Sequence, residues 1–317
     1  MIENIYLGVQ VVFPLLVFMV IGYLLRRLKW VTEKGFSEIN KLVFRILMPI
    51  MLFLNANMSD IREVFNAQNV QVLMITIVCV LLTLFISLYI GTKKVPDMGR
   101  RAVIVQGIYR SNLILFGLPV SVTIYGEGRL GTVAVLIIVA VPLYNIIAAI
   151  LLDKVTDNKM DFWKALKSAF TNYLVIGSIL GVLFNLLGGQ IPQMVQTPME
   201  QLGRMGTPLA FIVLGGSMVF GRMRDEIRTI SLVSSLRLVL IPIIVFIVAM
   251  FFGLQGPPLV ALLVVFAAPT AITSYTMAKE ANIEVALAGD FVAVTTILSV
   301  VTMILWITFL GSMNLLF

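Results

Sequence analysis

The sequence predicts an all-α integral membrane protein of ten transmembrane helices, built as two inverted five-helix repeats in which two broken helices, spans 4 and 9, cross. Three observations lead there. The chain is 60% hydrophobic and only 12% charged, with a mean hydropathy of +1.03, too little charge for the surface of a water-soluble domain. Apolar windows of about 20 residues, the length that crosses roughly 30 Å of hydrocarbon, recur from end to end. The basic residues fall in alternate loops, as expected of a multi-pass chain.

The spans run at about 5–25, 40–57, 70–91, 102–125, 130–152, 172–189, 198–220, 231–253, 257–278 and 286–310. Glycine and proline mark the turns between them, as in GTKKVPDMG (91–99), YGEG (125–128) and GLQGPP (253–258). The first span does not read as a cleaved leader, because Glu3 precedes it and the basic cluster RRLK follows it. Arg26, Arg27, Lys29, Lys34 and Lys41 come after span 1, and Lys93, Lys94, Arg100 and Arg101 after span 3. Lys154, Lys159, Lys164 and Lys167 follow span 5, Arg222, Arg224 and Arg228 follow span 7, and Lys279 follows span 9. The even-numbered loops hold only Arg62 and Arg129. The positive-inside rule therefore puts the odd loops in the cytoplasm and both termini outside a cytoplasmic (inner) cell membrane. The same asymmetry explains the net charge of +7 and removes nucleic acid as a partner. In the longest cytoplasmic loop, DFWKALKSAF (161–170), Asp161 caps a short interfacial helix with Phe162, Trp163, Leu166 and Phe170 on its apolar side.

That loop, 153–171, divides the chain into a first repeat at 1–152 and a second at 172–317. With an odd number of spans in each half, the second repeat enters the membrane inverted. Internal likeness supports this. MPIMLFLNANM (48–58) in span 2 matches TPLAFIVLGGSM (207–218) in span 7, and GLPVSVTIY (117–125) in span 4 matches AAPTAITSY (267–275) in span 9. Aligning Pro119 with Pro269 also pairs Thr123 with Thr273 and Tyr125 with Tyr275.

Span 4 carries the unusual stretch YRSNLILFGLPVS (109–121), which puts a charge, an amide and a helix breaker in one segment. If spans 4 and 9, carrying Pro119 and Pro269, both break near mid-membrane and cross, their half-helix N-termini point at a shared volume. Each N-terminus presents unpaired N–H groups and about half a positive charge, which suits an anion. Ser111 and Asn112 on one side, and Thr270, Thr273 and Ser274 on the other, satisfy freed backbone or touch the ligand. Arg110, roughly 12 Å from the cytoplasmic end of its span at 1.5 Å per residue, either forks onto a carboxylate or pairs within the protein.

At these residues the chain resembles the auxin efflux carrier family, in the bacterial form associated with malate permeases. The resemblance rests on the Asn…GLP pattern of span 4 (Asn112, Gly117–Pro119), the APTA…S pattern of span 9 (Ala268–Ala271, Ser274), and the order of the spans. It implies a fold similar to bile-acid symporters and sodium–proton antiporters. Spans 1, 2, 6 and 7 would form a scaffold, and spans 3–5 with 8–10 a moving transport domain. It also implies a homodimer through the scaffold and small organic anions as cargo. Asn112 is the position matching the carboxylate-binding Asn of the plant branch. The long central loop of the plant proteins is nearly absent here, so neither its regulation nor auxin specificity is implied.

The expected function is secondary transport of a small organic anion, a mono- or dicarboxylate such as malate, by alternating access across the bilayer. The alternative is a sodium/proton-type cation antiporter on the same fold. Asp290, at the start of span 10, is the candidate for a coupling proton or sodium ion, and Thr295, Thr296 and Asn145 are candidates to line the same cavity. Arg45, Arg204 and Arg237 read as structural, and Gly177, Gly181 and GGSMVFG (215–221) as close helix packing. An enzyme is not expected: there is no histidine, one cysteine (Cys79) and no paired carboxylates. No metal site, cofactor or nucleotide-binding loop is predicted either.

Overall fold

A computed structural model describes residues 2–58, 67–125, 131–156, 171, 173–218 and 225–316. The proposed interfacial helix at 161–170 lies outside the described residues, as do Arg62, Glu127, Arg129, Arg222 and Arg224. Among those described, the chain is helical throughout, without a strand. In order, the helices are α1 (Ile2–Arg27), α2 (Glu33–Leu42), α3 (Met48–Met58), α4 (Ala67–Lys94), α5 (Met98–Tyr109), α6 (Leu118–Tyr125), α7 (Gly131–Thr156), α8 (Tyr173–Leu186), α9 (Gln193–Gly216), α10 (Ile227–Ser235), α11 (Ile241–Phe251), α12 (Gly256–Phe266), α13 (Ile272–Glu280) and α14 (Val285–Ser312). Three π-helical turns, Val43–Leu47, Leu113–Gly117 and Leu236–Leu240, join α2 to α3, lead into α6, and join α10 to α11.

Five stretches among the described residues, 8–27, 33–57, 67–91, 227–251 and 285–312, are long and apolar enough to cross a membrane, with shorter apolar segments at 113–125, 135–148, 173–186 and 256–266. Their outer faces are apolar as well as their inner ones: Phe13, Phe85, Leu180, Ile247 and Leu305 all stand exposed. In water such a surface would aggregate, whereas in hydrocarbon it is the expected solvent-facing side. The chain is an integral membrane protein.

Each π turn ends two residues before a proline: Leu47 before Pro49, Gly117 before Pro119 and Leu240 before Pro242. A proline ring lacks the N–H that would bond the carbonyl one turn back and also collides with that carbonyl. Widening the preceding turn moves the carbonyl aside and lets the helix continue. The carbonyl one turn before Pro242 belongs to Leu238, and it accepts instead from the indole N–H of Trp306 at 3.1 Å. The helix starts have side-chain caps. Thr32 Oγ1 accepts from the Gly35 N–H at 3.1 Å ahead of α2, and Asp97 accepts from the Arg100 N–H at 2.6 Å ahead of α5.

The helices form two packed groups. One comprises α1, α2, α3, α8 and α9; the other gathers α4–α7 and α10–α14, and α1 also lies along α14. Glycines set the closest approaches in the first group. A Cβ on Gly22 would sit 1.9 Å from the Ile212 carbonyl oxygen, and one on Gly215 1.9 Å from that of Met19, so α1 and α9 touch backbone to backbone. Gly177 and Gly181 of α8 meet Pro49 and Phe53 of α3 in the same manner. Ion pairs hold the ends. Lys279 donates to Glu33 at 3.1 Å, linking the two groups. Arg100 grips Glu226 with both guanidinium nitrogens, and Glu226 also accepts from Thr229 Oγ1 at 3.1 Å.

Two outcomes follow. Gly22→Ala and Gly215→Ala force α1 and α9 apart and lower thermal stability in detergent by about 1–3 kcal/mol or more. Gly206→Ala, whose Cβ would meet nothing nearer than 3.7 Å, leaves stability level or higher by up to about 1 kcal/mol; melting curves of the three variants check this. The Arg100 bond, above all, holds the Glu226 carboxyl below its ordinary 4.5. Because the folded-state value is depressed, the pair's stabilisation is present above pH 4.5 and is lost as pH falls through the lower folded value. Glu226→Gln should therefore melt below the parent at pH 7, by about 0.2–1 kcal/mol for a partly exposed pair, and the gap should close toward pH 3.

Candidate functional site

The second group holds two interruptions side by side. Helix α5 ends at Tyr109, and Arg110 turns to extended backbone at φ −88°, ψ 115°. Helix α12 ends at Phe266, and Ala271 is extended at φ −65°, ψ 134° before α13 begins. Proline explains the second break, since Pro269 offers no N–H and turns Ala268 away from helical geometry. The first break has no proline within it. It lies at Arg110–Asn112, ahead of the π turn, and Pro119 sits inside the helix that follows. The π turn accommodates Pro119 without interrupting the helix, so the break expected near that proline lies earlier, at Arg110–Asn112. Across the two breaks Ser111 and Thr270 face each other, joined as an antiparallel bridge.

Each break satisfies the other. The Asn112 N–H donates to the Pro269 carbonyl at 2.8 Å, and the Ala271 N–H donates to the Arg110 carbonyl at 3.1 Å. Thr270 is used up in this frame: its N–H donates to Thr295 Oγ1 at 3.1 Å and its hydroxyl to the Gly107 carbonyl at 2.7 Å. The carbonyl one turn before Pro269, that of Val265, accepts from Arg237 Nη2 at 2.9 Å, while Arg237 Nε serves Ala268 at 2.9 Å. Arg237 is fully buried and its role is structural, a cap on the negative end of α12. Beyond the first break, the Asn112 carbonyl accepts from both Phe116 and Gly117. Gly117 lets this segment lie on α12, since a Cβ there would come within 2.8 Å of the Val264 carbonyl oxygen.

A cavity of about 110 Å³ opens beside the paired breaks, enough for a small organic molecule or several waters. Arg110, Ser111, Asn112 and Thr273 line it together with Tyr144 and Asn145 of α7; Asn40, Phe44 and Leu174 from the other helix group close it. Three of the lining residues also carry polar atoms without a partner. Ser111 Oγ, Asn112 Nδ2 and the Tyr144 hydroxyl are buried without a hydrogen-bond partner, a condition that costs about 1–3 kcal/mol per group unless something fills it. Arg110 is buried, and its Nη2 donates to Asn145 Oδ1 at 2.6 Å.

The structure thus brings Arg110, Ser111, Asn112 and Thr273 to one cavity, with Asn145. Pro269 and Thr270 hold the frame, and Gly117 and Pro119 shape the helix behind it. Ser274 is buried with its hydroxyl unpartnered but does not line the cavity. Asp290 is fully buried on α14 and is not part of the lining, nor are Thr295, which bonds the frame at Thr270, and Thr296. Tyr144 escaped the sequence reading. Its signal was the polar pair Tyr144–Asn145 just after Pro142, deep in an otherwise apolar span.

Comparison with known proteins agrees with this architecture. Residues 7–307 match the family model described as membrane transport protein. An uncharacterized transporter of Methanothermobacter thermautotrophicus is 24% identical over 301 residues, covering 94% of this chain and 96% of that one. The uncharacterized transporter YfdV of Escherichia coli K12 is 25% identical over 300 residues, covering 93% and 95%. A family match over nearly the whole chain, on an all-helical protein with an apolar outer surface and a cavity between two helix breaks, places this chain in the membrane transport protein family, that of the auxin efflux carriers.

Proposed function

We propose that the protein is a secondary transporter of small organic anions, binding a carboxylate in the cavity between the two breaks. One observation carries this reading: the cavity joins a buried guanidinium, Arg110, to three donors with nothing to donate to, Ser111 Oγ, Asn112 Nδ2 and the Tyr144 hydroxyl. Donors and a cation without an acceptor form a site for an acceptor. The N-terminal ends of the helices starting at Asn112 and Ala271 add their partial positive charge.

In this reading the chain forms ten spans in two inverted repeats, 1–152 and 172–317, joined by 153–171, with odd loops in the cytoplasm. The group of α1–α3, α8 and α9 is the scaffold, and the group carrying both breaks is the part that moves. Because the cavity is walled by both groups, sliding one against the other would uncover it to either side of the membrane. Dimerisation through the scaffold belongs to the same proposal. Asp290 is buried beyond the lining. That burial favours a second reading, a cation antiporter in which Asp290 binds the proton or sodium ion. Against it, the cavity is lined by no carboxylate among the described residues.

Uptake of acetate, lactate, succinate and L-malate into proteoliposomes, with and without pH and sodium gradients, separates the two. Asn112→Ala and Arg110→Ala should each weaken carboxylate uptake about tenfold or more, the effect of losing a hydrogen bond to a charged group, while still inserting in the membrane. Tyr144→Phe should do so more mildly. Unchanged uptake in the first two variants, or sodium/proton exchange without any carboxylate, overturns the reading.

A further inference from the structure

Among the described residues, Arg110 and Arg237 are both buried without a carboxylate partner, and they differ in what offsets their charge. Arg237 gives two nitrogens to carbonyls at the C-terminal end of α12, whose dipole offsets part of its charge, while its Nη1 has no partner. Arg110 bonds only neutral side chains: Asn145 Oδ1 at 2.6 Å, Gln106 Oε1 at 3.5 Å and the Met277 sulfur. No carboxylate lies within 4 Å of it among the described residues. It too stands at a helix C-terminus, that of α5, but the segment beginning at Asn112 points its positive end at the same place. The two dipole ends oppose one another, and the guanidinium charge is left uncompensated beside the cavity. A buried guanidinium with no counter-charge is costly, and it becomes more so when the group carrying it passes through the low-dielectric middle of a membrane.

We infer that Arg110 makes this carrier an exchanger: the moving group crosses readily only with an anion on Arg110 and returns only with another. This deepens the anion-carrier reading above and rests on it. A monocarboxylate seated on Arg110, or a dicarboxylate carrying one proton, forms a neutral pair held by the donors of Ser111, Asn112 and Tyr144, and that pair crosses without exposing net charge. Once the anion leaves, the same group holds an unpaired cation and the empty return is blocked. Transport then proceeds one anion for one anion, whatever the sodium or pH gradient. The guanidinium does the work that a coupling cation would do in a site lacking fixed charge.

The experiment starts with binding. Purified protein is titrated with acetate, lactate, succinate and L-malate, and the tightest binder is then used, isotope-labelled, in proteoliposomes. The membrane potential is clamped and the medium holds sulfate in place of chloride. Efflux is compared with the unlabelled anion outside and with none outside. Exchange should exceed net efflux by roughly a hundredfold, the scale set by leaving a buried charge unpaired, and neither sodium nor a pH gradient should close the gap. Arg110→Gln, assayed at saturating anion, should bring the two rates together, and Arg110→Lys should keep them apart. Equal rates in the parent protein, with binding intact, overturn the exchange inference and leave the carrier reading standing. A gap that persists in Arg110→Gln overturns the role given to Arg110. Failure of all four anions to bind removes the carrier reading itself.

Discussion

Everything in this molecule follows from a constraint on its backbone: inside hydrocarbon, each N–H and C=O must find its partner within the protein. A continuous helix meets that requirement alone. A broken one does not, and here two breaks meet it together, through the reciprocal bonds from Asn112 to Pro269 and from Ala271 to Arg110. Three more carbonyls near the breaks go to side chains, with Arg237 on Val265 and Ala268, and Thr270 on Gly107. With these bonds made by the frame, Ser111 and Asn112 take part in lining a cavity. The site exists because the frame around it is closed.

Pro14, Pro142, Pro198 and Pro208 lie inside helices that run on without a π turn, and other prolines act in two further ways. Pro269 interrupts its helix outright, whereas Pro49, Pro119 and Pro242 each follow a π turn and leave the helix running. The difference lies in what surrounds the carbonyl that the ring displaces. A widened turn handles it locally, as before Pro242, where Trp306 takes the Leu238 carbonyl. At Pro269 a second segment with its own interruption, Arg110–Asn112, lies alongside and offers bonds that a continuous helix would forgo.

Much of this was legible in the sequence. Hydropathy marked the helices, because lipid demands apolar side chains all round, and the polar residues Arg110, Ser111 and Asn112 announced themselves by their cost in such surroundings. The exact place of the first break was not legible. Proline is a strong local signal, and it drew the break toward Pro119, while the true interruption at Arg110–Asn112 is held open by tertiary bonds to a segment far along the chain. Tyr144 was hidden for a related reason: an aromatic ring in an apolar span reads as packing until the cavity beside its hydroxyl is seen. Close contact between α1 and α9 could be anticipated only from the α9 side, where Gly215 and Gly216 stand together; Gly22 on α1 is solitary.

The mutual bonding of the breaks also bears on biosynthesis. A ribosome adds roughly 5–20 residues per second, so the first interruption is made on the order of 10–30 s before Pro269 and Ala271 exist to close it. During that interval the main-chain groups of Arg110 and Asn112 lack the partners they have in the finished fold, where each break is closed by the other.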